Sequence, residues 1–340
     1  MTSQMTAWAI NEFGPPDRFH RITQPIPVPG PTELLIEVHA SSVNPVDYKV
    51  RDGRAGFLAQ SFPAVLHPDC AGVVRAVGAE ITGFVPGDRV FSFATGIGGK
   101  SGALADFMVA DAAMVAMAPR NLHHTEAAAL PLVSTTAWFS LIDQAGVGPG
   151  HSVLVEGGTG GVGHVAVQLA RWRGARVFAM CSNAAKCQTA ERLGAERAFD
   201  YSKTTPEDVV SEATEGRGFD IVYNTPGAPS VDHAVAVAAF GGTILDILGA
   251  FPAPFGFQMK WLSFQSVFAG RAILTGEGME RIGAILREIA TLCETGDITP
   301  LIDEHRFSFD RVADAHAYAE HGNPAGKVVL LHPDRAGESK

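Results

Sequence analysis

Between Ser152 and Gly174 the chain reads SVLVEGGTGGVGHVAVQLARWRG, and no other stretch restricts the possible fold so strongly. It opens on Val153-Leu154-Val155, a short, largely β-branched run of the kind buried on both faces of a parallel sheet. Gly158, Gly160 and Gly163 follow in the spacing G-x-G-x-x-G. Val162, Val165, Ala166, Leu169 and Ala170 then recur on one helical face. A glycine-rich turn alone is common in α/β proteins. Strand, glycine turn and helix in that order make the spacing a dinucleotide-binding signal. Gly158 is expected to permit the tight turn, Gly160 to let the backbone approach a pyrophosphate, and Gly163 to let the helix sit close to the strand. With Thr159, Gly161 and Val162 they form a loop whose amides, with the helix dipole, would hold phosphate charge.

Around that unit the chain changes texture twice. Residues 1–125 read as β-rich, with strand candidates at 34–38, 71–78, 89–91, 103–109 and 114–118, punctuated by Gly and Pro. That pattern suits a small barrel. Helical stretches are expected from Glu126 to Leu130 and from Thr135 to Ala145. Strands at 176–181, 197–199, 219–223 and 242–247 then alternate with helices at 184–193 and 206–213, as a doubly wound parallel sheet requires. An amphipathic helix carries Ile282, Ile285, Leu286, Ile289 and Leu292, a core-packing stripe. After Pro300 short strands return at 306–309 and 327–331. The expected division is 1–125 with 275–340 in one domain and 126–274 in the other.

Charge narrows the function. Asp and Glu number 36 against 26 Lys and Arg, a net −10, which opposes attraction to nucleic acid or an anionic membrane. No apolar run is long enough to span a bilayer, and the segment MTSQMTAWAINEFG is too polar for a signal peptide. Cys70, Cys181, Cys187 and Cys293 are scattered without a Cys-x-x-Cys pair, so neither a disulfide framework nor a zinc lobe is expected. The cytoplasm is the expected location.

Several segments together resemble one family over nearly the whole chain: Asn44-Pro45-Val46-Asp47-Tyr48-Lys49, Asp69 to Val74, Pro86 to Val90, Thr135-Thr136-Ala137-Trp138, the glycine motif, and Gly326 to Leu330. The chain resembles the medium-chain dehydrogenase/reductase superfamily, in its zinc-free quinone oxidoreductase branch, similar to zeta-crystallin and the plant enone reductases. The resemblance implies an α/β chain with a GroES-like β-barrel catalytic domain, a Rossmann doubly wound domain and a cleft between them. The zinc alcohol dehydrogenases hold catalytic zinc with Cys, His and Cys. The matching positions here are Asn44, Pro68 and Leu132, none a usual zinc ligand. His67 adjoins the lost histidine, and a shift of register would restore it. Without a Lewis acid an alcohol is hard to deprotonate near neutral pH, whereas hydride delivery to an enone or quinone needs no metal.

The second strand of the expected sheet ends in Cys181-Ser182-Asn183, with no acid to hold the ribose hydroxyls of NADH. The resemblance implies that Ser182, Asn183, Lys186 and Tyr201 surround the 2′-phosphate of NADPH; the alternative is a solvated Lys186 with Tyr201 packed beneath it. It further implies that Asn44 meets the nicotinamide ribose, that Thr136 (or Thr135, one register away) meets the carboxamide, and that Asn224, Gly249, Asn323 and Lys327 approach the cofactor. Lys49 would bind ribose hydroxyls, steady an enolate oxygen, protonate it, or stand in solvent. Phe57, Trp138, Phe251, Phe255 and Trp261 are candidate lining residues. The expected activity is NADPH-dependent, zinc-independent reduction of a quinone or of the C=C of an α,β-unsaturated carbonyl. An enoyl-thioester reductase and a non-catalytic, crystallin-like or RNA-binding relative stay open as alternatives. A homodimer is expected, with Ser263 to Phe268 at or near its interface.

Overall fold

The computed structural model describes residues 4–59, 61–249, 251 and 254–335. The chain divides into two compact units: Met1–Leu132 with Gly270–Thr295 and Ile302–Lys340, and Val133–Ala269 with Gly296–Leu301.

The second unit is built on six parallel strands: β1 (Ser152–Glu156), β2 (Arg176–Cys181), β3 (Arg197–Asp200), β4 (Phe219–Asn224), β5 (Ala238–Asp246) and β6 (Ser263–Ser266). Their order is β3-β2-β1-β4-β5-β6, so the winding reverses between β1 and β4. In such sheets that reversal opens a crevice at the carboxyl ends of the strands, where ligands bind. The apolar runs read from sequence fill the core: Leu154, Phe178, Phe199, Phe219, Val222 and Ile244 are all buried. Phe178 and Phe219 meet edge to face at 5.5 Å.

The helix expected from Thr135 to Ala145 has a different form. An α-helix covers Pro131–Trp138, and Phe139–Gln144 winds as a π-helix. Ala145 N–H reaches back to the Ser140 carbonyl, and the Ser140 hydroxyl donates to the Thr136 carbonyl at 3.0 Å. Such wide turns are rare and frequent at functional sites. Apolar periodicity does not distinguish them from an α-helix.

The first unit holds a seven-stranded sheet in which both ends of the chain take part. The strand Lys327–Leu331 lies antiparallel to Glu33–Ser42, pairing Val329 with Ser42, and Glu33–Ser42 pairs on its other edge with Asp69–Val77. Met279–Thr295 forms the amphipathic helix, its Ile282, Ile285, Leu286, Ile289 and Leu292 buried. The strand expected at 103–109 is shifted to Phe107–Asp111, and Ala105 makes only an isolated bridge to Ala7. Strands Gln4–Ile10 and His20–Pro25 pair in a second sheet that the apolar pattern had not marked.

Candidate cofactor site and catalytic cluster

The glycine turn follows β1, with one role reassigned. The residue with positive φ is Gly157, at +72°, rather than Gly158. Gly158 answers a packing demand: a Cβ there would lie 2.5 Å from the Ala179 Cβ of β2. Gly160 is the N-cap of the helix Gly161–Trp172 and supplies no side chain to its first amides. Those amides have no partner within the helix, and a Cβ at Gly160 would meet only the Gly157 carbonyl oxygen, at 3.2 Å. Gly163 has the expected role. A Cβ there would fall 2.0 Å from the Gly157 carbonyl oxygen, so only glycine allows the helix this close to the turn. Thr159 is buried in the loop.

At the end of β2, Cys181 is buried, and burial first, then Cys187, pushes its thiol up to about 12. It is a neutral, unreactive group at neutral pH. The Ser182 hydroxyl is buried with no hydrogen-bond partner. Asn183 caps the helix Ala184–Arg192, accepting from Lys186 N–H at 2.9 Å, and places Lys186, half-buried, in the first helical turn. Tyr201 N–H donates to the Cys181 carbonyl at 3.0 Å, while its ring is 61% exposed. The residues assigned to the 2′-phosphate thus gather at the carboxyl ends of β2 and β3. Sequence reasoning missed Asp200 beside them, whose carboxylate is occupied by the Ser202 hydroxyl at 2.6 Å and Ser202 N–H at 3.0 Å. An orphaned hydroxyl, a cation and a glycine-lined helix start fit a phosphorylated dinucleotide.

Asn224 and Gly249 are joined by a residue that the sequence reading passed over. Asp246, the last residue of β5, is buried. Its carboxylate accepts from the Asn224 side-chain amide at 2.8 Å and from Leu248 and Gly249 N–H at 2.9 and 2.6 Å. Gly249 has φ +76°, the left-handed turn this wrapping of the carboxylate uses. Thr135 and Thr136 are both buried; the Thr135 hydroxyl lacks a partner, and the Thr136 carbonyl accepts from Tyr223 OH at 3.4 Å.

In the first unit, Asn44 caps the helix Pro45–Arg51, and its buried side chain belongs to a network around Asp69. Asp69 Oδ2 accepts from Asn44 Nδ2 and from Ser42 Oγ, each at 2.8 Å, and Oδ1 accepts from Leu132 N–H at 2.8 Å. Lys327 Nζ donates to Asn44 Oδ1 and to the Val43 carbonyl at 2.9 Å, and stands 3.5 Å from Asp69 Oδ2. Asn44, Leu132 and Lys327 therefore converge on one buried carboxylate, that of Asp69, to which the sequence reading gave no role. Asp47 accepts from Asn44 N–H at 2.7 Å through Oδ2, while its buried Oδ1 has no partner. Burial, opposed by that N–H and reinforced by the Asp69 charge, pushes the Asp47 carboxyl up to about 8. Lys49 is half-buried on the same helix, and Asn323 is exposed. His67 is fully buried with both ring nitrogens engaged, by Ser41 and by His316, so a register shift would not free it as a ligand. Among the described residues no group of three or more His, Cys, Asp or Glu could hold a metal ion.

Of the candidate lining residues Trp138 is core, 5.9 Å from Trp172. Phe57, Phe251, Phe255 and Trp261 are each about three-quarters exposed.

Comparison with known proteins places this geometry. The alcohol dehydrogenase GroES-like domain model matches residues 30–120, and the zinc-binding dehydrogenase model residues 161–276. The 2-methylene-furan-3-one reductase of Solanum lycopersicum is 35% identical over 339 residues, spanning 97% of this chain and 80% of that protein. The chain is a medium-chain dehydrogenase/reductase. Within the superfamily it is also similar to the NADPH-dependent alkenal/one oxidoreductase of Arabidopsis thaliana, 32% identical over 96% of this chain and 79% of that one. An alcohol dehydrogenase superfamily protein from Novosphingobium aromaticivorans superimposes with a TM-score of 0.91 at 36% identity, covering 97% of this chain and 99% of its own. A mycobacterial relative solved with NADPH superimposes at 0.83, with 30% identity and 96% and 99% coverage. No helix among the described residues is long and apolar enough to cross a membrane.

Proposed function

We propose that this medium-chain dehydrogenase/reductase uses NADPH to reduce a quinone or the C=C of an α,β-unsaturated carbonyl, without zinc. The observation that carries the reading is the end of β2, where Ser182 and Lys186 stand, β2 itself ends without an acid, and the neighbouring Asp200 is held by Ser202 and faced by Lys203 at 3.4 Å. The relatives' names, alkenal/one oxidoreductase and furanone reductase, support the substrate class.

NADPH, when bound, supplies the hydride. On this reading the chain's own groups do the rest. The amides at the start of the helix Gly161–Trp172 take the pyrophosphate. Lys186, Ser182, Asn183 and Tyr201 take the 2′-phosphate. Asn44, Thr136, Asn224 and Gly249 position the nicotinamide end, and Asp69 and Asp246 hold two of these in place. Lys327 is committed to Asn44 and Asp69, so its part is to fix that amide. Lys49 or water gives a proton to the carbon or oxygen left electron-rich by hydride addition. Asn44, Pro68 and Leu132 offer no metal-ligand set, so the carbonyl is activated by hydrogen bonding.

We further propose a homodimer formed along β6. That strand ends the sheet, the buried Gln265 Oε1 lacks a partner, and Phe240, Trp261 and Phe251 are exposed around it. All four cysteines are free, which suits the cytoplasm. The test is NADPH oxidation by a simple quinone and by a linear enone, with elemental analysis of the same sample. Turnover that chelators leave intact supports the reading. One zinc per chain, or turnover of alcohols only, sinks it.

A further inference from the structure

Beside the Asp69 cluster runs a line of buried polar groups, from two helices, a turn and a strand, that the proposed chemistry does not use. Arg51, fully buried at the end of Pro45–Arg51, places Nη1 3.3 Å from His316 Nδ1. His316 Nε2 lies 2.9 Å from His67 Nε2. His67 Nδ1 lies 3.0 Å from Ser41 Oγ, and Ser41 Oγ lies 2.7 Å from the Asp69 carbonyl oxygen. His316 comes from the helix Val312–His321 and His67 from the turn before Asp69–Val77.

The two ends settle every hydrogen. Guanidinium can only donate, so His316 Nδ1 accepts. A neutral ring with a bare Nδ1 carries its hydrogen on Nε2, so His316 donates to His67 Nε2. His67 then carries its hydrogen on Nδ1 and donates to Ser41. From the other side, a carbonyl can only accept, so Ser41 spends its one hydrogen on Asp69 and must accept from His67. Both ends demand the same direction. A second proton on His67 would set two N–H groups against each other at 2.9 Å, and one on His316 would set its Nδ1–H against the Arg51 guanidinium at 3.3 Å. Burial keeps both rings neutral, with Lys327 adding to the effect on His67, and His67 and Arg51 to that on His316. The line is not a proton wire, since it begins at a guanidinium paired with Glu320 at 2.7 Å and ends at a peptide carbonyl.

What the line holds is strained. His67 has φ +73°, the left-handed region that a non-glycine residue rarely takes. The chain passes from this turn through Pro68 into Asp69, whose carboxylate holds Asn44, Ser42 and Leu132. We infer that His316 and Arg51 are positioning residues of the reductase: acting through the His67 ring and Ser41, they fix the Asp69 backbone and hence the amide of Asn44. The inference rests on the proposed reductase reading for its effect on turnover.

Nitrogen NMR of labelled histidines tests the direction without any substrate. His67 should be the neutral Nδ1–H tautomer and His316 the neutral Nε2–H tautomer at pH 7. Kinetics test the role. His316→Leu should lower kcat for enone or quinone reduction about 10- to 100-fold, as misplacement behind a reacting centre does. His316→Gln, whose amide can both accept from Arg51 and donate to His67, should recover most of it. Ser41→Ala cuts the other end of the line, needs no large repacking, and should show a similar loss. In Ser41→Ala combined with His316→Leu the losses should not add. Reversed or charged rings overturn the inference. So do wild-type kinetics in a folded His316→Leu, or in Ser41→Ala where His316→Leu fails to fold. A wild-type protein that oxidises no NADPH with either substrate overturns the reductase reading instead, and the tautomers still decide the line.

Discussion

At the scale of single residues, cofactor choice turns on the sign of charge at the end of β2. A charge-assisted hydrogen bond contributes about 1.5–3 kcal/mol, and each 1.4 kcal/mol is about tenfold in affinity. Lys186→Ala should therefore weaken NADPH about tenfold and leave NADH nearly unchanged. Cys181→Asp should move preference toward NADH, since a carboxylate there accepts from ribose hydroxyls and repels the phosphate. Dissociation constants for both cofactors in parent and variants measure this; equal losses in Lys186→Ala would show that the cation faces elsewhere. Ser182, Lys186 and Asn44 stand out in the sequence because their motifs are local. Asp246 is an ordinary acid at a strand end, and Asp69, though it opens a segment that carries the resemblance, has no role the segment reveals; only the folded chain shows what each carboxylate holds.

At the scale of elements, the closest approach in the cofactor turn sets a second expectation. A methyl group at Gly163 would meet a backbone oxygen that cannot yield without moving the turn. Gly163→Ala should cost about 1–3 kcal/mol of stability in denaturant unfolding, as overpacking does, and should weaken NADPH binding with it. The edge strand β6 yields a third. If it lies at a dimer interface, Trp261→Glu should weaken association by about 2 kcal/mol or more, a hot-spot loss. Light scattering across micromolar concentrations should show the parent as a dimer and the variant dissociating; a monomeric parent removes the interface. Parallel strands with β-branched runs and glycine ends were read from sequence within a few residues. The π-helical turn at Phe139–Gln144 and the strand Gln4–Ile10 were not. The first shares its apolar period with an α-helix, and the second is too mixed in polarity to alternate cleanly.

For the molecule as a whole, buried titratable groups shape stability against pH. His67 and His124 are held down to about 3 and His316 well below its usual range, all chiefly by burial. Below about pH 6.5 the unfolded chain takes up protons that these folded rings refuse, so stability is lost as pH falls from there toward 3. Asp47 acts the opposite way. Its raised pKa means the folded chain keeps a proton that the unfolded chain has released, so stability falls as pH rises from about 4 toward 8. Three histidines outweigh one carboxyl on the acid side, which puts the maximum between about pH 6 and 7. Urea unfolding across pH 4–9 should show that maximum, and Asp47→Asn should flatten the alkaline limb. An unchanged limb would mean that Asp47 is ionised in the folded chain.

The pairing of Lys327–Leu331 with Glu33–Ser42 also orders events during synthesis. The second unit has every strand of its sheet once the ribosome has passed Ser266. The first unit waits far longer. Asn44 and Asp69 emerge 283 and 258 residues before Lys327, whose ammonium lies beside them. Until that residue is made, the Asp69 carboxylate has no ammonium from this strand beside it, so the cluster closes only after Lys327–Leu331 has joined the sheet.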